Sequence, residues 1–374
     1  KIENEYQELL KFIADLEDIL ARPERVIEII KTELNDVRTK FGDARRTELL
    51  VGEVLSLEDE DLIEEEEVVI TLTNNGYIKR MANSEFRAQR RGGRGVQGMG
   101  VHDDDFVKNL VSCSTHDTLL FFTNTGKVYR AKGYEIPEYG RTAKGIPVIN
   151  LLGIDSAEKI QAIISVEGKA EAGKYLFFTT LKGTVKRTAV TAFSNIRSNG
   201  LIAISLKEDD ELVNVVTTNG NQKMIIGTHA GYSVTFDENT VRDMGRTASG
   251  VRGIRLREND YVVGAAILDE NKEVLVITEN GYGKRTKASE YPVKGRGGKG
   301  IKTANITEKN GPLAGLTTVN GDEDILLITN KGVIIRFNVD SVSQTGRATL
   351  GVRLMRMEDG AKVVTMAVVE PEEV

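Results

Sequence analysis

Two hydrophobic rhythms divide the chain. Over residues 1–20 the apolar positions Ile2, Tyr6, Leu9, Ile13, Leu16 and Leu20 step by four and three, the seam of an amphipathic helix. Pro23 suits the first turn of a second helix. Ile27, Ile30, Leu34, Val37 and Phe41 continue the seam to Gly42, a candidate C-cap. From residue 68 the period changes. Six short apolar runs, VVITL, LLFF, YLFF, MIIG, VLVI and ILLI, each lead to a glycine turn and a short strand beyond it. β-Branched and aromatic residues in runs of this length predict strands buried between neighbouring sheets. Asn-Asn-Gly and Glu-Asn-Gly supply the positive φ of a hairpin turn.

The turn glycines are Gly76, Gly126, Gly183, Gly231, Gly281 and Gly332, spaced by 50, 57, 48, 50 and 51 residues. A second glycine closes each unit: Gly95, Gly145, Gly200, Gly250, Gly300 and Gly351. It lies 19 residues beyond the turn glycine, or 17 in the third unit. This double register marks a repeat of about 50 residues, room for four strands. Six such units predict radial repetition, a propeller-like ring or spiral that leaves only short, protected edges. Rungs of a linear β-solenoid are much shorter.

Charge follows the same division. The whole chain carries a net charge of −6, residues 49–67 about −9 of it with no base, and residues 68–374 about +6. The domains expected are therefore a helical segment at 1–48, an acidic linker at 49–67 and the repeat region at 68–374. The linker reads as solvated, with competition against an anion for the basic face as its functional alternative. No apolar run reaches 18 residues, so no membrane span and no membrane partner are expected. Cys113 is the one cysteine, which excludes an internal disulfide and suits a reducing, cytoplasmic compartment. The opening KIENEYQELL shows no signal peptide and reads as the interior of a longer protein.

Cations recur in register. Arg80, Arg130, Arg187, Arg285 and Arg336 stand four residues after the turn glycines; the fourth unit has Thr235 there, followed by Asp237 and Glu238. Arg91, Arg141, Arg246, Arg296 and Arg347 stand four before the closing glycines, with Arg197 shifted by one. Lys79, Lys127, Lys144, Lys186, Lys284 and Lys299 add to them, and Arg252, Arg255 and Arg257 follow the fourth loop. The densest cluster is Gln89, Arg90, Arg91, Gly92, Gly93, Arg94 and Gly95. Equivalent positions of a repeat share a surface, so a basic belt around the rim is expected, suited to phosphate oxygens, with glycines allowing close backbone approach. The bland alternative is a set of outward residues on solvated strands. On this belt the fourth unit is expected to be the weak station.

Two GxGxxG matches, at Gly93–Gly98 and Gly295–Gly300, have no following helix and fall on the repeat, so neither reads as a dinucleotide site. His102, His116 and His229 are scattered and read as structural. Asp103, Asp104 and Asp105 read as a polar turn. No nucleophile–base constellation is present, and no metal or cofactor is expected in this stretch.

QRRGGRG at 89–95 resembles the box that marks the C-terminal domain family of DNA gyrase A subunits, and the six GRxxxG-like units resemble that family's six-bladed β-pinwheel. The fold class implied is mainly β, a six-bladed β-pinwheel preceded by an α-helical coiled-coil segment. The resemblance covers essentially the whole chain. Residues 1–48 resemble the coiled-coil arm, an ordinary helical hairpin being the alternative. The related topoisomerase IV domain is similar in its blades but lacks an intact box. The family implies a non-catalytic module that wraps double-stranded DNA so that a bacterial, ATP-dependent type II topoisomerase introduces negative supercoils. Implied partners are the gyrase A core, a second copy of the A chain and the gyrase B chains; ATP and Mg are implied elsewhere in the holoenzyme. Other classes are a propeller-like scaffold meeting acidic proteins, and a small-molecule enzyme using a central channel, for which no residues stand out.

Overall fold

Each apolar run pairs antiparallel with the strand beyond its glycine turn, and every described turn glycine has a positive φ, from 72° at Gly332 to 85° at Gly76. In the computed structural model the described residues are 1–43, 62–82, 105, 107–140, 142–155, 158–166 and 173–369, with the backbone of 96–97. Among them the strands form six four-stranded sheets, blades 1 to 6. Blade 1 orders Val107–Ser114, Glu67–Thr73, Tyr77–Ala82 and Ile146–Pro147. Blade 2 orders Ile160–Val166, Thr118–Thr123, Lys127–Lys132 and Leu201–Ile202. Blade 3 orders Leu212–Thr218, Tyr175–Thr180, Thr184–Ala189 and Val251–Arg252. Blade 4 has Val262–Ile267, Lys223–Thr228, Tyr232–Asp237 and Ile301–Lys302. Blade 5 has Leu313–Val319, Glu273–Thr278, Tyr282–Lys287 and Val352–Arg353. Blade 6 has Val363–Val369, Asp324–Thr329, Val333–Asn338 and Val96–Gln97.

The last strand of every blade comes from the next unit. For blade 6 it comes from unit 1: Val333 pairs with Gln97 and Ile334 with Val96. Strand exchange therefore closes the ring. The same seam carries a hydrophobic cluster of Val69, Met81 and Val107 with Leu326, Ile328, Ile334 and Val369. Other clusters likewise join neighbouring sheets, as Leu275 and Ile277 of blade 5 meet Leu327, Ile335 and Phe337 of blade 6. Both faces of a blade are covered, which is why the central strands are continuously apolar rather than alternating. The first strands of the blades line a central cavity of about 600 Å³.

The helices Ile2–Ala21 and Pro23–Phe41 bury no residue. Ile2, Leu20 and Phe41 are 84%, 83% and 76% exposed, so the seam's partner is not among the described residues. Pro23 occupies the first turn as expected, while Gly42 caps in an extended conformation, φ −70°, rather than a left-handed one. No described helix is long and apolar enough to cross a membrane.

Candidate nucleic-acid interface

The closing glycine sits where the arriving loop crosses the preceding blade. Gly250 has φ 89°, and a Cβ there would lie 2.4 Å from Val185 O; at Gly300 it would lie 2.6 Å from Ser233 O. Glycine is required at these points by backbone-to-backbone contact within the protein. Gln89–Gly95 and Arg141 lie outside the described residues.

Beyond each glycine comes the two-residue edge strand, and on blades 3 to 5 its second residue is a solvent-exposed cation: Arg252, Lys302 and Arg353. Blades 1 and 2 carry Pro147 and Ile202 there, and blade 6 carries Gln97. Lys302 and Arg353 were missed by sequence reasoning, although they stand two residues after Gly300 and Gly351, in register with Arg252. Arg296 and Lys299 of the fifth loop are exposed, as are Arg255, Arg197 and Arg130. The loop arginines also link successive units. Arg296 donates from Nη1 to Arg252 O (3.0 Å) and from Nε to Thr240 O (3.0 Å). Arg347 donates to Lys302 O. Each guanidinium thus bonds to the edge strand before it, placing a cation at every step of blades 3 to 5.

The post-turn arginines do not join this surface, apart from Arg130. Four residues past the turn is mid-strand, where neighbouring sheets cover both faces. Arg336 is 2% exposed and donates from Nε to Asp324 Oδ2 at 2.7 Å. Arg187 is 8% exposed, lies 4.6 Å from the Tyr175 ring centre, and has Glu238 at 3.7 Å. Arg285 meets Glu273 (2.9 Å) and Asp340 (3.0 Å); Arg80 donates to Ile136 O (3.1 Å) and faces Glu138. Thr235, 3% exposed, is therefore not a lost rim contact, and the weak-station expectation is corrected. Glu238 is fully buried and accepts from Thr218 Oγ1 and Gln222 N, so it does not face a bound anion.

Three lysines expected on the belt are also interior. Lys79, Lys186 and Lys284 are 0%, 0% and 1% exposed. Burial pushes the Lys186 and Lys284 amines down to about 8; the Arg246 charge adds to this at Lys186, and at Lys284 Glu290 opposes it while Arg347 adds. Lys127 pairs with Glu158 (2.7 Å), and Lys144 lies 5.6 Å from the centre of the Tyr77 ring; both are half-buried, like Arg246 and Arg347. Of the other polar candidates, Asp105 is buried and accepts from Asn75 N (2.9 Å), His116 bonds to Ile63 O, and His229 stacks on Tyr261 and meets Glu279. His102, Asp103 and Asp104 lie outside the described residues.

Comparisons with known proteins match the six-unit fold. Residues 67–114, 117–167, 174–219, 222–269, 272–320 and 323–370 match the family described as DNA gyrase C-terminal domain, beta-propeller, one match per unit. The chain is 69% identical over 373 residues to the DNA gyrase A protein of Streptococcus pyogenes serotype M3, covering 100% of this chain and 45% of the relative. It is 66% identical over 377 residues to that of Streptococcus pneumoniae strain R6, covering 100% and 46%. The chain spans about half the length of the curated relatives it matches. Among solved structures, one titled DNA gyrase A C-terminal domain superposes with TM-score 0.75 at 28% identity, covering 81% of this chain and 99% of that one. The C-terminal domain of DNA topoisomerase IV gives 0.63 at 28%, covering 82% and 94%.

Proposed function

Because this chain belongs to the DNA gyrase C-terminal β-propeller family, we propose that its ring binds duplex DNA along a basic arc and bends it around the rim. The observation that carries this reading is the row of exposed cations at equivalent positions of consecutive blades: Arg252, Lys302 and Arg353 on the edge strands, with Arg296 and Lys299 on the loop between. A row that follows a curved rim suits phosphates of a curved duplex. Bending 20–30 bp by 40–90° costs on the order of 1–6 kcal/mol, which many phosphate contacts offset. Among the described residues the ring holds only 3-10 turns of three or four residues and no α-helix to read a major groove, so the contacts position DNA rather than select its sequence. The box arginines Arg90, Arg91 and Arg94 immediately precede in sequence the strand that docks on blade 6.

In this reading the chain is the non-catalytic wrapping part of a DNA gyrase A protein, working with the A core, a second A chain and the B chains. Its wrap fixes the crossing from which an ATP-dependent strand passage introduces negative supercoils; ATP and Mg belong to those other parts. The intact QRRGGRG box favours gyrase over topoisomerase IV.

The test is a titration of duplex DNA against salt, with relaxed plasmid and a topoisomerase to record trapped writhe. Log affinity is expected to fall linearly with log salt. Arg252→Ala, Lys302→Ala and Arg353→Ala together should flatten the slope by about 2–3 units, roughly 0.9 per phosphate contact. A slope unmoved by the triple variant would sink the arc. Binding that traps no writhe would sink the wrapping.

A further inference from the structure

At the third position after the turn glycine the six units read Lys79, Tyr129, Lys186, Val234, Lys284 and Ile335. Odd-numbered units have an amine where even-numbered units have an aromatic or aliphatic side chain. All six are buried. The amines reach main-chain carbonyls of the loop that arrives from the following unit. Lys79 Nζ donates to Gly140 O (3.1 Å). Lys186 Nζ donates to Arg246 O and also to Ala203 O at the end of blade 2. Lys284 Nζ donates to Gly346 O (2.7 Å) and Arg347 O, with Thr349 Oγ1 at 3.2 Å.

A buried ammonium is costly unless its donors are satisfied. The same place in blades 2, 4 and 6 is filled without one, so the blade itself does not require the charge. A second observation separates the same three blades. Isolated parallel bridges join Arg80 to Glu138, Arg187 to Asp243 and Arg285 to Gln344, just ahead of the loops that the amines hold. No described residue of the even blades makes one.

We propose that Lys79, Lys186 and Lys284 are positioning residues for the DNA-facing loops: each fixes the leading carbonyls of the arriving loop inward, so that the loop and the edge strand behind it are presented to the rim already ordered. This rests on the DNA-binding reading above. A loop ordered in advance loses less entropy when phosphate binds. The ammonium also lies beneath the face that receives the phosphates, so bound DNA favours its charged form. The groups facing Lys186 are the Arg246 guanidinium and the Phe178 ring, and those facing Lys284 are Arg347 and Glu290. Since both amines are held down near 8, duplex affinity should weaken as pH rises above about 8, where ordinary surface lysines remain charged.

The 374-residue chain with Lys79→Met, Lys186→Met and Lys284→Met together is compared with wild type and with Ile335→Met, which alters the same position in a blade that has no amine. Hydrogen exchange should quicken in the triple variant at 142–145, 247–250 and 348–351, and stay unchanged at 198–200 and 297–300. Duplex affinity at pH 7 should drop about tenfold, a coupling of ordinary size, and its decline above pH 8 should vanish. Ile335→Met should do none of this. Should the triple variant fail to fold, Lys284→Met alone is read at 348–351 against 297–300. Equal exchange in both sets of loops, or a pH profile identical to wild type, overturns the proposal. Absence of DNA binding by wild type would overturn the functional reading instead, while the exchange contrast still tests the loop anchoring.

Discussion

The arriving loops of blades 5 and 4 are both held from the side, by Arg347 on Lys302 O at blade 5 and by Arg296 on Arg252 O at blade 4; only on blade 5 is the loop also held from beneath. Lys284 grips the carbonyls of Gly346 and Arg347 from inside the sheet. Blade 4 offers Val234 at that place, and its loop is kept by Lys294 N bonding to Thr235 O (2.8 Å), by Arg296 on Arg252 O, and by Arg257 donating to Lys299 O (2.7 Å). The next position differs in the same sense. Arg285 of blade 5 sits against Glu273 on the neighbouring strand, whereas Thr235 of blade 4 shares its blade with Lys223 at the place equivalent to Glu273. In blade 6 the pair is Arg336 with Asp324; in blade 3 it is Arg187 with the Tyr175 ring. In blades 3, 5 and 6 the arginine thus belongs to a two-residue unit within the sheet, and the fourth repeat has neither half. A repeat position that is cationic in five units of six is a packing device in blades 1, 3, 5 and 6, while Arg130 of blade 2 reaches solvent, and most of the belt is made by the loops and edge strands.

Breaking the best-buried pair should have the largest effect. Arg336→Ala leaves Asp324 as a buried unpaired carboxylate and is expected to cost about 3–5 kcal/mol in urea unfolding. The salt slope for DNA should be unchanged while the protein is folded. A flattened slope with little loss of stability would put Arg336 on the DNA side after all.

Adding the missing half should cost less. Thr235→Arg buries a cation near Lys223 and is expected to destabilise by about 1–3 kcal/mol without steepening the salt slope. Lys223→Glu in the same chain should recover part of the loss by recreating the arrangement of Arg285 with Glu273. A steeper slope from Thr235→Arg alone would return that position to the rim.

The smallest effect is read against pH. Lys186 and Lys284 titrate near 8 in the folded chain and at the ordinary 10.5 when unfolded. Between these values the unfolded chain binds more protons, so the two amines make stability rise with pH in that window. Burial pushes the Cys113 thiol up to about 12 from 9.0, with opposite sign: above 9 the unfolded chain loses its thiol proton first, and stability falls. The lysine contribution should therefore appear between about pH 8 and 9 and disappear in Lys186→Met with Lys284→Met. An unchanged profile in that double variant would show that neither amine titrates in this range.

Much of the architecture was legible because it depends on local backbone geometry. Gly76 and its five mates announce positive φ within a few residues of an apolar run, and Gly145 and its mates repeat at one distance beyond. These positions predict six hairpins and six crossings without any knowledge of neighbours. The candidate surface was legible chiefly where the glycine loops and the residues just after them carry it, at Arg197, Arg252, Arg255, Arg296 and Lys299, and at the one exposed post-turn arginine, Arg130. Lys302 and Arg353 lay in the same register as Arg252 and needed only the count of two past the closing glycine. Lys186 and Arg187 read alike to charge counting, yet each is buried, because adjacent blades cover both faces of the strand they share.

By itself the sequence determined the number of units, the place of every described turn and the change from helix to sheet, since each of these rests on φ preferences and hydrophobic spacing over a few residues. Tertiary structure alone decided which cations reach solvent and that the ring closes. Closure rests on Val96–Gln97 pairing with Val333–Ile334 across more than 230 residues of chain, and exposure rests on which neighbouring sheet covers a strand. Both are long-range pairings, and no local preference of the residues involved encodes their partner.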